Sequence, residues 1–507
     1  MKIKNSCRYI AGVGLIAAGI ASITAMAQDQ SDALRYSFLS PQGTARSLGF
    51  GSALGSVGGD FATLSVNPAG IGIYRRSEAM VTPTLRFGNS EGQYLNGNMD
   101  DARTAFNFSN LGIVFTRAEK GRRYEKSKWK TVSFAVGINR MADFNRNYSY
   151  GGDMRTSAGV NNSFSELFVN DANQYPLDVD VNGTLGYLGW QSYLVNNDSM
   201  GFYSLASSAI GLRQLRSVSE KGGISEIVVS LGGNYQEKIM IGATLGLPSV
   251  RYTRDAFFQE TDLSGNGNDD FGSFRYSESL RTTGLGVNLK LGVIYKPADA
   301  FRLGVAIHTP TWFALNDEFN ESLTANTEGY QGVVTVQNDP RTFNYNLTTP
   351  WRGIISGTAM LGQYGFISAD YEYVDYKSVR YRFSNEFRDE QTVRNSILKN
   401  TFQGASNIRI GIEGRMDNFF ARGGFGYYGN PYQSSASKHN RMDFSLGLGL
   451  RNERAFIDLA FVHSRLEQTE IPYSIPASTF YPAGLVAPTA KLDHKMNTIA
   501  LTLGIKM

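Results

Sequence analysis

The chain has 507 residues, with 49 Lys+Arg against 45 Asp+Glu, 55 glycines, 27 tyrosines, 31 phenylalanines and one cysteine. Cys7 and three of the basic residues fall in the first 27 positions. The remainder is nearly neutral, which excludes the basic footprint of a nucleic-acid-binding protein, and has no thiol for a disulfide, a metal site or a nucleophile.

Lys2, Lys4 and Arg8 precede an apolar run, Ile10 to Ile23, and Ala25-Met26-Ala27 offers a small-x-small cleavage site. Residues 1–27 therefore read as a signal peptide, with the mature chain starting at Gln28. The apolar run is short for a spanning helix of about 20 residues. A lipoprotein cysteine would follow that run rather than precede it, so Cys7 argues against lipidation. A secreted chain rich in glycine and aromatics, with no further apolar stretch of spanning length, points to a β-barrel in a Gram-negative outer membrane.

Residues 28–77 precede the first strand and end in "TLSVNPAGIGIYRR" (63–76). This segment carries a proline where a central strand tolerates none, and it fits no amphipathic helix. Fourteen period-two segments follow, near 78–87, 104–117, 130–141, 225–235, 239–250, 283–296, 301–310, 352–361, 365–376, 406–416, 418–428, 441–451, 455–464 and 496–507. In "MDFSLGLGLR", Met442, Phe444, Leu446, Leu448 and Leu450 share one face, opposite Asp443, Ser445, Gly447, Gly449 and Arg451. A soluble sandwich also alternates, but its solvent face would not carry so many glycines. In a lipid-embedded barrel the apolar face turns outward and the small or polar face lines the lumen.

Connections after even-numbered strands are mostly tight, around Gln236-Glu237, Pro297-Ala298-Asp299, Gln363, Asp417 and Asn452-Glu453. Those after odd-numbered strands are long: about 88–103, 142–224, 251–282, 311–351, 377–405, 429–440 and 465–495. Short periplasmic turns alternating with long outer loops are the bacterial barrel pattern. Eight strands can fill their own lumen, but about fourteen leave a gap that must be plugged or become a pore. The fold expected is an all-β transmembrane antiparallel barrel of about 14 strands, with residues 28–77 as an N-terminal hatch and 78–507 as barrel and loops.

Residues 45–72, "ARSLGFGSALGSVGGDFATLSVNPAGIG", resemble the N-terminal hatch of FadL-type outer-membrane transporters, the family of long-chain fatty-acid and aromatic-hydrocarbon channels. The resemblance is specific over these 28 residues, with a Gly/Ala-rich run and Asn-Pro-Ala at 67–69; "TTPWR" (348–352) is a weaker echo. It implies a monomeric fourteen-stranded barrel among outer-membrane lipids, taking up a hydrophobic small molecule passively. Outer loops would capture the ligand, and Asn67, Pro68, Ala69 and Gly70 would set the bend of the hatch. The ligand would leave sideways at an inward kink of the third strand. That strand alternates through Val132, Phe134, Val136 and Ile138 and loses phase at Asn139-Arg140-Met141, the mark of a bulge or kink. A second slip occurs at Ser109-Asn110. Two features depart from the family: the longest loop follows the third strand, and Met507 replaces the usual terminal aromatic.

The longest loop is rich in apolar side chains. Phe168, Trp190, Tyr193, Leu194 and Phe202 are candidate ligand contacts, since exposed apolar patches mark binding surfaces; a small cap packing on itself fits them equally. Four lumen-facing arginines, Arg302, Arg409, Arg415 and Arg422, offer forks for a carboxylate head group, or else form ion pairs with neighbours such as Glu413 and Asp443. Arg75-Arg76 belong at the periplasmic rim. The four histidines (His308, His439, His463, His494) show no metal-ligand spacing. No serine-nucleophile context and no haem-iron signature accompanies them, so neither cofactor nor enzymatic activity is expected. Three classes stay open: a passive hydrophobic transporter, a general porin, and a surface adhesin or structural barrel. A plug with apolar outer loops favours the first.

Overall fold

The computed structural model describes residues 30–507 apart from 41, 120, 158–160, 266, 268–269 and 330. The signal-peptide reading of residues 1–27 lies outside the described residues. Fourteen barrel strands run in chain order: β1 Glu78–Tyr94, β2 Gly97–Ala118, β3 Trp129–Asp143, β4 Leu212–Tyr235, β5 Ile239–Asp262, β6 Ser273–Ala298 and β7 Phe301–His308. β8 Arg352–Met360, β9 Gly365–Asp375, β10 Gly404–Met416, β11 Phe419–Tyr428, β12 His439–Arg451, β13 Ala455–Glu470 and β14 Ala490–Lys506 complete the wall. Each pairs antiparallel with the next, and β14 returns to β1 in register Glu78↔Lys506, so the wall closes on itself.

The alternation read from the sequence is the alternation of the wall. On β12, Phe444, Leu446, Leu448 and Leu450 are exposed on the outside, where lipid covers them, and Asp443 and Ser445 are buried inside. Backbone groups in a bilayer must be satisfied within the protein, and a closed antiparallel barrel does this without an edge. Among the described residues no helix is long and apolar enough to cross a membrane; this chain crosses with strands.

Several expected outer loops are continued strands. β1 and β2 extend through 88–103 to a tight turn at Leu95-Asn96, with Tyr94 opposite Gly97. β5 and β6 likewise fill most of 251–282, and 311–351 holds three further strands, Trp312–Asn326, Val333–Gln337 and Arg341–Thr348. The cause is visible on β5. Its outward residues are apolar from Ile239 to Leu247, then become Arg251, Thr253 and Asp255, while Val250, Tyr252, Ala256 and Phe258 stay buried inward. The lipid-facing signal ends at the membrane boundary, and the strand does not. The turn positions were legible: Gln236, Glu237 and Asp417 sit at the strand links with positive φ.

Candidate transport path

Residues 30–77 run down the inside of the barrel. α1 (Gln30–Ser37) lies at the outer end, α2 (Ala45–Gly49) follows, and two 3-10 turns, Phe61–Ser65 and Pro68–Ile73, lead to the periplasmic rim. The segment has little regular structure, so wall side chains must satisfy its backbone. Thr502 Oγ1 accepts from Ala45 N–H at 2.6 Å, the Asp370 carboxylate from Gly55 N–H at 3.0 and 3.1 Å, and Arg302 Nη1 donates to Val57 O at 2.6 Å. At the rim, Arg75 pairs with Glu237, and Arg76 donates to Glu453 O.

Asn67 is fully buried and caps the turn that Pro68 opens. Its Oδ1 accepts from Ala69 N–H at 3.1 Å, and its Nδ2 donates to Gly55 O at 2.6 Å, joining two passes of the segment. Proline at the first helical position has its φ pre-set and lacks only an N–H that would be unpaired anyway. The wall opposite is glycine by necessity. A Cβ on Gly292 would stand 1.8 Å from Asn67 Oδ1, and one on Gly242 2.3 Å from Pro68 O.

The third strand is broken. It pairs with β4 up to Asp143↔Gly223, with Met141 bulged, and resumes as Arg146–Met154 against Leu212–Glu220, while β4 runs through unbroken. Of the slip residues, Asn139 accepts from Asn110 Nδ2 at 2.8 Å and donates to Ser65 Oγ at 2.9 Å; Arg140 O and Met141 O accept from Gln42 N–H and Ser40 N–H at 2.9 and 3.0 Å. Asp143, a residue the sequence reading missed, ties the break together. Its buried carboxylate accepts from Arg140 (3.0 Å), Asn107 (2.9 Å) and both the backbone N–H (3.1 Å) and the side chain (3.0 Å) of Asn145, and forms an ion pair with Arg86 (3.0 Å). The only trace in the sequence was a carboxylate inside the run that loses phase.

The break opens a seam. The β2–β3 ladder ends at Asn110↔Asn139. Among the described residues, Gly97–Ser109 of β2 pairs with β1 alone. Among the described residues no ladder bridges the gap, and side chains do so instead: Asn107 to Asp143, Arg103 to Asn147 at 2.8 Å, Ser149 to Asp101, and Asn147 Nδ2 to the Ala102 carbonyl at 3.3 Å. The second slip is a bulge at Ser109, whose hydroxyl turns inward to Gly43 O at 2.8 Å.

Above the N-terminal segment lies a cavity of about 1810 Å³. Its wall carries Arg35, Arg86, Arg146, Arg216, Arg254 and Arg441 with Asp143, Glu220, Glu278 and Glu470, while Asp32 and Asp443 pair with Arg35 and Arg441. Arg216 and Arg254 share Glu278, at 2.8 and 3.5 Å. The arginines proposed from the sequence are elsewhere. Arg409 is buried between Glu372 (3.3 Å) and Asp370 (3.6 Å), and Arg422 between Glu413 (2.6 Å) and Asp458 (2.8 Å). Arg302 holds the N-terminal segment, and Arg415 is not in the lumen interior but exposed at the periplasmic turn, donating to Asp417 O at 3.0 Å. Glu413 also binds Arg46 at 2.9 Å, so the Arg422 network anchors the segment to the wall.

Between Met154 and Leu212 the chain forms a cap with helices Glu166–Gln174 and Leu185–Gln191. Phe168 and Leu194 are buried in its core with Phe164, Leu188, Phe258, Phe274 and Tyr276; Trp190 meets Phe202 edge-on at 5.5 Å, and Tyr193 is partly exposed at a positive-φ position. Phe168, Leu194 and Phe202 belong to the cap's apolar cluster, Trp190 packs on Phe202, and none of the five lines the cavity. Beneath them Glu260 accepts from Ser163 Oγ, from Phe164 N–H at 2.8 Å and from Gln214 Nε2 at 2.7 Å. Burial without a neighbouring cation pushes its carboxyl up to about 7. The histidines stay apart: His308 meets Val66 O, His463 meets Asn497 and His494 meets Ser90, each at 2.8 Å, while His439 packs on Phe38.

No family model matches the chain, and no curated protein matches its sequence. Solved structures match over almost its whole length. A FadL homologue of Pseudomonas aeruginosa superposes with TM-score 0.51 at 12% identity, covering 92% of this chain and 99% of that one. The toluene transporter TodX of P. putida gives 0.50 at 12% identity, covering 90% of this chain and 98% of that one. A deltaS2 mutant of the TodX monoaromatic hydrocarbon channel gives 0.52 at 11%, covering 92% and 98%. The chain therefore has the architecture of a FadL-type outer-membrane β-barrel.

Proposed function

We propose that this protein is a passive outer-membrane channel for hydrophobic small molecules, fatty-acid-like or aromatic. The ligand enters beneath the cap, the N-terminal segment acts as a hatch, and exit is sideways through the seam between β2 and the broken third strand. The observation that carries this reading is the loss of the β2–β3 ladder above Asn110, at the height where Phe106 and Phe108 still face lipid. A barrel strand gives up its ladder only at a cost, because unpaired backbone in a bilayer is expensive. Here Asp143 and the backbone of Ser40 and Gln42 hold the break in place.

A straight path to the periplasm is blocked by the buried segment, which weighs against a general porin. An adhesin would leave both the segment and the seam without a purpose. The guanidinium forks along the cavity wall suit a carboxylate head group, and the solved structures of like fold include toluene and monoaromatic hydrocarbon channels. The test is uptake of radiolabelled dodecanoate and toluene by cells whose own channels for them are deleted. Expression of this chain raises uptake of at least one; unchanged uptake of both, with the protein folded in the outer membrane, rejects the reading.

A further inference from the structure

The lipid face of the barrel is not uniformly filled. An apolar groove of about 710 Å³ crosses it from β3 to β7, bounded by Trp129, Val132, Leu231, Leu291 and Ile307. Its floor is low because the outward rows of β4 and β5 place Gly233 and Ala243 among large residues. Trp129, the first residue of β3, lies over Gly233, where a Cβ would stand 3.0 Å from its ring. That end of the groove is at the periplasmic rim.

The same end carries a run of positive charge. Residues 117–130, the turn between β2 and β3 with its flanks, hold seven basic residues against Glu119 and Glu125, in a chain that is nearly neutral beyond its first 27 positions. The other periplasmic turns carry at most one basic residue each. Among the described residues the only ion pair within this stretch is Arg117 with Glu119, at 3.7 Å and exposed, a geometry worth little. The acid of the next turn, Glu237, is already engaged by Arg75, Tyr124 (2.8 Å) and Asn234 (3.1 Å). Arg117 continues the lipid-facing row of Phe115 and stands opposite Val132, and the exposed Lys128 adjoins Trp129.

We propose that the groove and the basic turn together bind one anionic phospholipid of the periplasmic leaflet. Arg117 and Lys128 hold its phosphate, and an acyl chain lies along the groove past Trp129. Clustered Lys and Arg at a membrane surface select anionic lipid, and an interfacial tryptophan sits at headgroup level. Charge and groove meet at one point of the rim, so a single amphiphile satisfies both. A soluble acidic partner would use the charge and leave the groove to bulk lipid.

The test uses the full-length protein in detergent micelles, titrated with a phosphatidylglycerol and with a phosphatidylcholine of the same acyl chains, and read by native mass spectrometry. One phosphatidylglycerol is expected to bind about tenfold or more tightly than the phosphatidylcholine. Arg117→Gln with Lys128→Gln is expected to abolish that preference. Ala243→Phe, which fills the groove from its lipid-facing side, is expected to weaken both lipids by about tenfold. Heat-modifiability checks that each variant has folded. Equal affinity of the wild type for the two lipids, an unchanged preference in the double variant, or unchanged binding in Ala243→Phe overturns the proposal. So does equal competition by free glycerol phosphate, which would make this a phosphate site alone, or by an acidic peptide, which would make it a protein-docking turn.

Discussion

At the residue scale, Asn67 carries the argument for the hatch. Its amide joins Gly55, Ala69 and the wall in a pocket that admits no side chain at Gly292. Asn67→Ala leaves Gly55 O and Ala69 N–H with lost partners, a cost of about 1–3 kcal/mol. That is too little to unfold a fourteen-stranded barrel. Uptake is expected to fall by severalfold while heat-modifiability and surface abundance stay unchanged; normal transport would make the motif a structural turn. Glu260 gives a pH signature in the cap. Its neighbours are Ser163, Phe164 N–H and Gln214, with Glu166, Tyr94 and Tyr473 as the titratable groups around it. The folded value, about 7, lies above the ordinary carboxyl value of 4.5. Its contribution is then complete below about 4.5 and is lost as pH rises through about 7, on the order of 3 kcal/mol. Hydrogen exchange of residues 155–211 is expected to quicken between about pH 5 and 8, and Glu260→Gln to flatten that dependence. Asn67 and its proline were legible because their chemistry is local. The cavity arginines were not, since Arg35, Arg146, Arg216 and Arg254 come from elements more than two hundred residues apart at the extremes.

At the scale of elements, the strands were legible where lipid imposes alternation and obscure where it stops. β12 reads directly as Phe, Leu, Leu, Leu outward, whereas the outer half of β5 lost its signal once Arg251 and Asp255 replaced the apolar residues. The third-strand slip at 139–141 was visible, but not its consequence. The seam depends on β4 continuing unbroken past the gap and on Asp143 gathering Arg86 and Asn107 from two other strands. The N-terminal segment is expected to behave as one element. Deleting residues 28–70 removes the groups that Asp370, Thr502 and Arg302 satisfy, and opens a lumen too wide for side chains to close. In planar bilayers the intact protein is expected to conduct poorly and the deletion variant to form large, steady channels. Large conductance in the intact protein would favour a porin.

At the scale of the whole molecule, the closed antiparallel wall, its apolar exterior and its small or polar interior follow from one constraint, the absence of water in the bilayer core. That constraint made the fold readable without any related sequence. The account stands or falls on whether cargo leaves through the seam, and Asn107 is placed to decide it. Its side chain lies in the gap between β2 and the broken strand, bonded to Asp143 at 2.9 Å, level with the lipid-facing Phe106 and Phe108. Asn107→Cys removes one of the donors to Asp143 and introduces the only thiol among the described residues. The measurement is dodecanoate uptake by cells carrying Asn107→Cys, before and after labelling with a bulky maleimide, with Arg251→Cys on the outer face of β5 as control. The account predicts that labelling at 107 cuts uptake by about tenfold or more and that labelling at 251 leaves it unchanged. Equal uptake with and without the label at 107 would contradict lateral exit.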